Sequence, residues 1–189
     1  LNFAALAHSL IIDFYYKATG RKHFQLEDAI KLPWVQLPVA AYQRVLRLNC
    51  LTIDYRDLWS NSEKTWRSPI IWSLDAEQFI NTTCEDDSEY WNYGTPLRSD
   101  FLRRLALIEI DVLVARSIGL SLEELLDSYR IYFSVLREND QSTWFDQQGS
   151  IVWTSSKGLI GVGYLNEKGK SPGRKEWESI LESNPSELV

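Results

Sequence analysis

The 189-residue sequence has no methionine, only two cysteines and two histidines, and no apolar run long enough to cross a bilayer. A membrane-spanning helix needs about 20 mostly apolar residues, so we expect a cytoplasmic protein with no membrane partner. Cys50 and Cys84 match no metal-ligand spacing, which predicts two reduced thiols. Because the chain opens on Leu1 without a methionine, we expect a piece of a longer protein, with N-terminal processing as the alternative.

Several enzyme motifs are also missing. No acidic residue stands two positions before any lysine, although metal-dependent nucleases need that arrangement to bind the metal and position the attacking water. The glycines between residues 158 and 163 lack the spacing of a nucleotide-binding loop, so they favour structural turns. Glu109 and Asp111 lie about 200° apart around a helix. We therefore predict that one faces an arginine and the other faces water, without forming a catalytic pair.

The net charge is −6, from 20 basic and 26 acidic residues, whereas a free-standing nucleic-acid-binding domain is normally basic. The acidity is concentrated in residues 61–100, and residues 1–60 carry a small positive excess. Only this first region is compatible with a DNA-facing surface. The eight tryptophans predict aromatic packing in preference to a platform for stacked bases.

The spacing of apolar residues predicts an α+β fold that is mostly helical and has a C-terminal β-hairpin. Helices are expected over 2–17, 39–59, 100–118 and 121–138, and a short apolar-periodic turn is expected over 26–32. Period-two alternation predicts the two hairpin strands over 149–154 and 159–164. We predict three regions: an N-terminal helical region, an acidic connecting segment, and an αα-hairpin followed by the β-hairpin and a polar tail, over residues 1–60, 61–97 and 98–189.

Two blocks of the sequence together resemble a known protein family. The first reads S-L-I-I-D-F-Y-Y-K from Ser9, continues with G-R-K-H-F from Gly20 and ends in L-P at Pro33. It is similar to the end of the target-recognition domain in type IIG adenine-N6 DNA methyltransferases, and to the same region of type I specificity subunits. The second reads E-I-D-V-L-V-A from Glu109 and G-L-S-L-E-E-L from Gly119. It resembles a helix pair near the C-terminus of those enzymes, and residues 129–163 resemble the tail of a phage-defence branch.

The resemblance implies a restriction-modification or phage-defence methyltransferase whose catalytic part lies elsewhere. Such enzymes carry an N-P-P-[YF] motif that holds the flipped adenine. Here the nearest sequence is Asn184-Pro185-Ser186, and no S-adenosylmethionine glycine loop is present. We therefore expect no catalysis and no cofactor in this chain. S-adenosylmethionine is expected in an upstream domain, and double-stranded DNA is the expected partner of the parent protein, with other defence subunits as further partners.

The candidate DNA-binding residues lie mainly in the short loop after the first helix. A loop at a helix end can reach phosphates or base edges, and an arginine there can read guanine through two hydrogen bonds. Arg44 and Arg47 lie three residues apart on the helix expected over 39–59, on the side opposite its apolar stripe. They are weaker candidates, for contacts to the DNA backbone. The complete set is Thr19, Arg21, Lys22, His23, Arg44 and Arg47. The alternative for the loop residues is a solvated loop without a DNA role.

A second function fits the same sequence. The acidic middle segment, the tryptophan content and the negative net charge favour a protein-interaction module that docks a partner subunit of a bacterial defence complex. The salt dependence of binding distinguishes the two functions, because only direct DNA contact releases counterions from phosphates.

Overall fold

The structure is a computed structural model, and it describes residues 1–20, 23–62, 65, 67, 71–73, 90–153, 168–170, 173, 175, 176 and 179. The chain forms two compact units, each of which combines two stretches of sequence. Unit 1 consists of Leu1–Arg98 and Leu102–Phe133. Unit 2 consists of Ser99–Phe101 and Ser134–Val189. The three predicted regions divide the chain differently, since the long helix after residue 98 shares its core with the N-terminal helices.

The described residues are mostly helical, which confirms the helical part of the predicted fold class. Within the described residues, five short helices precede the long helix α6, and a 3-10 turn at Ile53–Tyr55 leads into α5. The helices are α1 (Asn2–Ala7), α2 (Leu10–Ala18), α3 (Leu26–Lys31), α4 (Val39–Asn49), α5 (Arg56–Ser60), α6 (Asp100–Ser117), α7 (Leu122–Tyr132) and α8 (Ser134–Ser142). The strands are β1 (Trp144–Phe145) and β2 (Ile151–Trp153).

The predicted helix over 2–17 is interrupted at Ser9. The buried Ser9 has extended backbone angles, and its Oγ accepts a hydrogen bond from the Ile11 backbone N–H over 3.1 Å. Serine in this position satisfies a donor that a helix start leaves unpaired, so α2 begins anew at Leu10. The predicted end is confirmed, because α2 stops at Ala18 and Gly20 has a φ of +72°.

Two other predicted helices also end early. The helix expected over 39–59 ends at Asn49, where Cys50 has a non-helical ψ of 57°. The helix expected over 121–138 ends at Tyr132, where Phe133 takes a φ of −116° and a ψ of 44°. Cys50 and Phe133 are both buried. Neither break has a glycine or proline that would mark it in the sequence, so we attribute both to the burial of these side chains.

The core of unit 1 lies where α1, α4 and α6 meet. Its fully buried side chains include Leu6 of α1, Val45 of α4, and Ile110 and Val114 of α6. A smaller cluster joins Leu46, Cys50 and Trp59, with Trp91 packed against it. Because α4 contributes to both clusters, this helix is surrounded by other parts of unit 1.

A capping box forms the start of α7. Ser121 accepts from the Glu124 backbone N–H over 3.2 Å, and the Glu124 carboxylate accepts from the Ser121 backbone N–H over 2.8 Å. These bonds to Ser121 lower the pKa of Glu124. The helix packs against α2, where the rings of Phe14 and Tyr132 lie 4.4 Å apart. The sequence did not predict this α2–α7 pairing, and the αα-hairpin of α6 and α7 stays a prediction.

The described residues do not show the predicted C-terminal β-hairpin, in which strand 149–154 would pair with strand 159–164. Strand β2 falls within the predicted strand 149–154, but it pairs antiparallel with the preceding strand β1. Asp146 closes the connection, because its Oδ1 accepts from the Ser150 backbone N–H over 2.8 Å. The predicted second strand, residues 159–164, lies outside the described residues.

Candidate nucleic-acid interface

The loop that was predicted to contact DNA connects α2 and α3. Thr19 and His23 are exposed, as a contact to a ligand in solvent requires. The Thr19 Oγ1 donates to the Tyr16 carbonyl over 2.7 Å at the end of α2, which leaves the hydroxyl oxygen able to accept. Arg21 and Lys22 lie outside the described residues.

Both helices that hold this loop are fixed by buried carboxylates. Asp111, in the middle of α6, accepts at Oδ1 from the Leu10 backbone N–H over 2.7 Å and so anchors the start of α2. Asp28 accepts at Oδ2 from the Gln25 backbone N–H over 3.0 Å and fixes the start of α3. A carboxylate at a helix N-terminus is also favoured by the helix dipole. The loop is thus placed by two anchored helices.

A group of apolar side chains follows the loop directly and faces solvent. Leu26 and Ile30, one turn apart on α3, are 77% and 76% exposed, and Trp34 is 67% exposed. Phe24 packs edge-on against Tyr16, with ring centroids 5.3 Å apart, and is also exposed. We call Phe24, Leu26, Ile30 and Trp34 the α3 apolar surface. Contiguous apolar surface of this kind is typical of a region that meets another molecule.

Arg44 does not lie on the surface. Its side chain is 3% exposed, and three of its nitrogens donate inside the protein. Nε donates to Glu109 Oε2 over 2.5 Å, Nη1 to the Ala40 carbonyl over 2.8 Å, and Nη2 to the Ile71 carbonyl over 2.7 Å. The Trp72 ring lies over the guanidinium at 4.7 Å. The predicted surface position of Arg44 is therefore wrong.

Arg47 is buried as well, with 2% of its surface exposed. Its Nη1 donates to the Thr95 carbonyl over 3.1 Å, and its guanidinium lies 5.8 Å from the Trp59 ring. Its own carbonyl accepts from the Leu97 backbone N–H over 2.9 Å. The predicted surface position is wrong here too, because residues 90–97 cover this side of α4. We retain neither arginine as a candidate DNA contact.

The expectation for the two carboxylates of α6 is half confirmed. Glu109 pairs with Arg44 and also accepts from the Ser73 backbone N–H over 2.7 Å. Asp111 was expected to face water, but it is buried and bonded to α2. Both carboxylates hold the fold together in the described structure, and they do not converge on one site.

One arginine that sequence reasoning missed is held at the surface. Arg98 is exposed, its Nε donates to the Tyr93 carbonyl over 2.8 Å, and its Nη2 donates to the Leu51 carbonyl over 3.0 Å. The guanidinium carbon lies 3.6 Å from the centre of the Tyr93 ring. The two residues occur in a segment without periodicity, so no sequence pattern indicated this pair.

The described residues provide little for metal or thiol chemistry. Within them, no three histidine, cysteine or acidic side chains come together as a metal site. Burial raises the pKa of the Cys50 thiol to about 11, which keeps it protonated and unreactive near neutral pH. No helix in the described part of the chain has the length and apolar character to span a membrane.

Comparisons with known proteins leave the chain without a family assignment: no protein-family model matches it, and neither curated proteins nor solved structures provide a match.

Proposed function

We propose that this chain is a non-catalytic C-terminal part of a DNA adenine-N6 methyltransferase from a restriction-modification or phage-defence system. Its role is to help recognise the DNA target and to support the recognition surface. The upstream part of the parent protein binds S-adenosylmethionine and flips the adenine, and the present chain contacts the duplex through the loop from Thr19 to His23. Arg21 reads a base edge or a phosphate, and Lys22 contacts phosphate.

One structural observation supports this proposal more than any other. The two sequence blocks that resemble such methyltransferases lie about one hundred residues apart, yet both fold into unit 1. The Asp111 carboxylate of the second block bonds the first residue of α2, which belongs to the first block. Because α2 leads into the loop, the second block has a structural role in placing the first. This arrangement is expected if the two blocks form one working module.

The parent gene provides the most direct test. Sequencing the source gene upstream of the Leu1 codon should reveal an in-frame methyl-donor glycine loop followed by N-P-P-[YF]. The full-length product should then transfer labelled methyl groups from S-adenosylmethionine to adenine in duplex DNA. An unrelated upstream domain, or a full-length product without adenine methylation, would contradict the proposal.

Direct DNA contact by the loop has its own test. We expect weak binding of the isolated chain to a duplex, with affinity that falls as salt rises from about 50 to 200 mM. The double substitution of Arg21 and Lys22 by alanine should flatten the salt dependence by about 0.9 for each phosphate contact that is lost. A matched control replaces the exposed Arg56 and Arg116 by alanine and removes the same charge. Equal slopes for the two double variants would show that the loop makes no phosphate contact.

The second candidate function, docking a partner subunit of a bacterial defence complex, is favoured by the α3 apolar surface. Side chains as exposed as Leu26 and Ile30 suit burial against another protein more than contact with a phosphate backbone. If this function is correct, the chain should capture a defence subunit whether salt is low or high. Replacing Leu26 and Ile30 by serine should then abolish that capture, while the loop substitutions leave it unchanged.

A further inference from the structure

We infer that Arg98, held in place by Tyr93, is a contact to the DNA phosphate backbone. The inference rests on the proposed function and adds a second phosphate-binding position, outside the loop between α2 and α3 and within residues 61–100, which the charge distribution alone did not favour for DNA contact. The evidence is that the guanidinium is fixed at the surface and that no carboxylate of the described residues pairs with it.

The guanidinium is immobilised before any ligand arrives. Two of its nitrogens donate to backbone carbonyls, those of Tyr93 and Leu51, and the guanidinium carbon lies 3.6 Å from the centre of the Tyr93 ring. An exposed arginine usually loses much side-chain entropy when it binds, and that cost is reduced when the side chain is already ordered. These three contacts fix a surface cation without neutralising its charge. We expect such an arrangement at a position that binds an anion.

The third nitrogen distinguishes Arg98 from Lys17 and Arg130, two exposed cations that pair with carboxylates. Its Nη1 has no hydrogen-bond partner among the described residues, and no carboxylate there forms an ion pair with the guanidinium. By contrast, Lys17 pairs with Asp13 over 2.7 Å and Arg130 with Asp127 over 3.6 Å. Arg98 therefore presents a permanent positive charge to solvent, and no carboxylate of the described residues pairs with it.

The chemistry of this group fits a phosphodiester. Guanidinium N–H groups form strong charge-assisted bonds to phosphate oxygens, and the charge persists at any physiological pH. The Tyr93 ring is 73% exposed, so its hydroxyl is available beside the guanidinium to donate to a second oxygen. Because the chain as a whole carries a net charge of −6, a few fixed cations must provide most of its attraction to DNA.

The test measures duplex affinity between about 50 and 200 mM salt for the wild-type chain and for Arg98→Ala, Arg98→Gln and Arg98→Lys. Loss of one phosphate contact lowers the slope of log affinity against log salt by about 0.9, so the affinity loss of Arg98→Ala shrinks about 3.5-fold across that range. Arg98→Gln keeps a hydrogen-bond donor, guards against misfolding and should show the same change. Arg98→Lys should keep the wild-type slope. Arg116→Ala removes one exposed charge elsewhere and should also keep it.

The outcomes separate this inference from the proposed function. Salt-dependent wild-type binding with the same slope in Arg98→Gln, Arg98→Ala and Arg116→Ala would overturn the role of Arg98 and leave the proposed function standing. Wild-type chain that shows no salt-dependent duplex binding would overturn direct DNA contact, and the role of Arg98 with it. A reduced slope in both Arg98→Gln and Arg98→Ala, with the wild-type slope kept in Arg116→Ala, would support the inference, provided the melting temperature of Arg98→Gln matches that of Arg116→Ala.

Discussion

The interior around α4 and the surface of α3 distribute their residue types in opposite ways. In the interior, two arginines and the carboxylates of Glu109 and Asp111 are largely removed from solvent. On α3, leucine and isoleucine are more than three-quarters exposed. The comparison shows that residue type alone does not locate a side chain in this protein. Charges are tolerated inside because each meets a bonding partner, and exposed apolar groups are typical of a surface that another molecule covers.

The largest expected effect tests the interior. Arg44→Ala leaves Glu109, whose side chain is 15% exposed, beside Ser73 without its buried cation, and removing one partner of a largely buried pair costs about 3 kcal/mol. The free energy of unfolding, measured by urea denaturation, should fall by that amount. The combined change of Arg44 to methionine and Glu109 to leucine removes both charges and should recover much of the loss. A cost below about 1 kcal/mol for Arg44→Ala would show that this interior is not rigidly paired.

The burial of Arg44 and Arg47 could not be predicted, because the apolar spacing of α4 indicates a helix with one face toward solvent. In the structure six consecutive residues from Gln43 to Leu48 are buried, so α4 has no such face there. Helix α6 lies on one side of α4, and the segments 71–73 and 90–97 also contact α4. These segments have no periodic sequence pattern that would predict their packing. The angular positions of Arg44 and Arg47 around the helix axis therefore did not predict whether their side chains are exposed.

Other parts of the fold could be predicted from local signals alone. Gly20 ends α2, Gly119 follows α6 with a φ of +83°, and Ser121 with Glu124 starts α7. Each signal acts within one helical turn. The breaks at Ser9 and Cys50 could not be predicted, since serine and cysteine also occur inside helices and tertiary burial decides between the two outcomes. For the candidate site, the exposure of Thr19 and His23 followed from the loop, whereas the hydrogen bond from Arg98 to the Leu51 carbonyl depends on long-range folding.

The next prediction concerns the link between the interior and the loop. Asp111→Ala leaves the Leu10 backbone N–H buried without its charged acceptor, which costs about 1–3 kcal/mol in unfolding free energy. Asp111→Asn keeps one acceptor oxygen and should cost less. The matched control is Asp13→Ala on the exposed side of α2, where the pair with Lys17 contributes about 0.5 kcal/mol or less. Amide hydrogen exchange in the first turn of α2 should increase only for the Asp111 variants, and equal costs for Asp111→Ala and Asp13→Ala would contradict the anchoring role.

A third prediction uses the pKa of a buried thiol. The Cys50 pKa is raised from 9.0 to about 11 by burial, so the unfolded chain ionises this thiol at lower pH than the folded chain does. The corresponding contribution to stability is complete below pH 9 and is lost as the pH rises toward about 11. The unfolding free energy of the wild type should therefore fall more between pH 8 and 11 than that of Cys50→Ala. Parallel pH profiles for the two proteins would mean that the thiol is not desolvated in the fold.

The smallest expected effect on stability belongs to the α3 apolar surface. Replacing Leu26 and Ile30 by serine removes side chains that are 77% and 76% exposed, so the unfolding free energy should change by about 0.5 kcal/mol or less per residue. The same kind of truncation in the interior, Leu6→Ala, should cost about 2–5 kcal/mol. A loss of several kcal/mol from the surface pair would show that α3 packs against this chain in solution and would remove the contrast between the two regions. An unchanged stability would leave both side chains free to contact DNA or a partner, which makes this pair the cleanest variant for separating binding from folding.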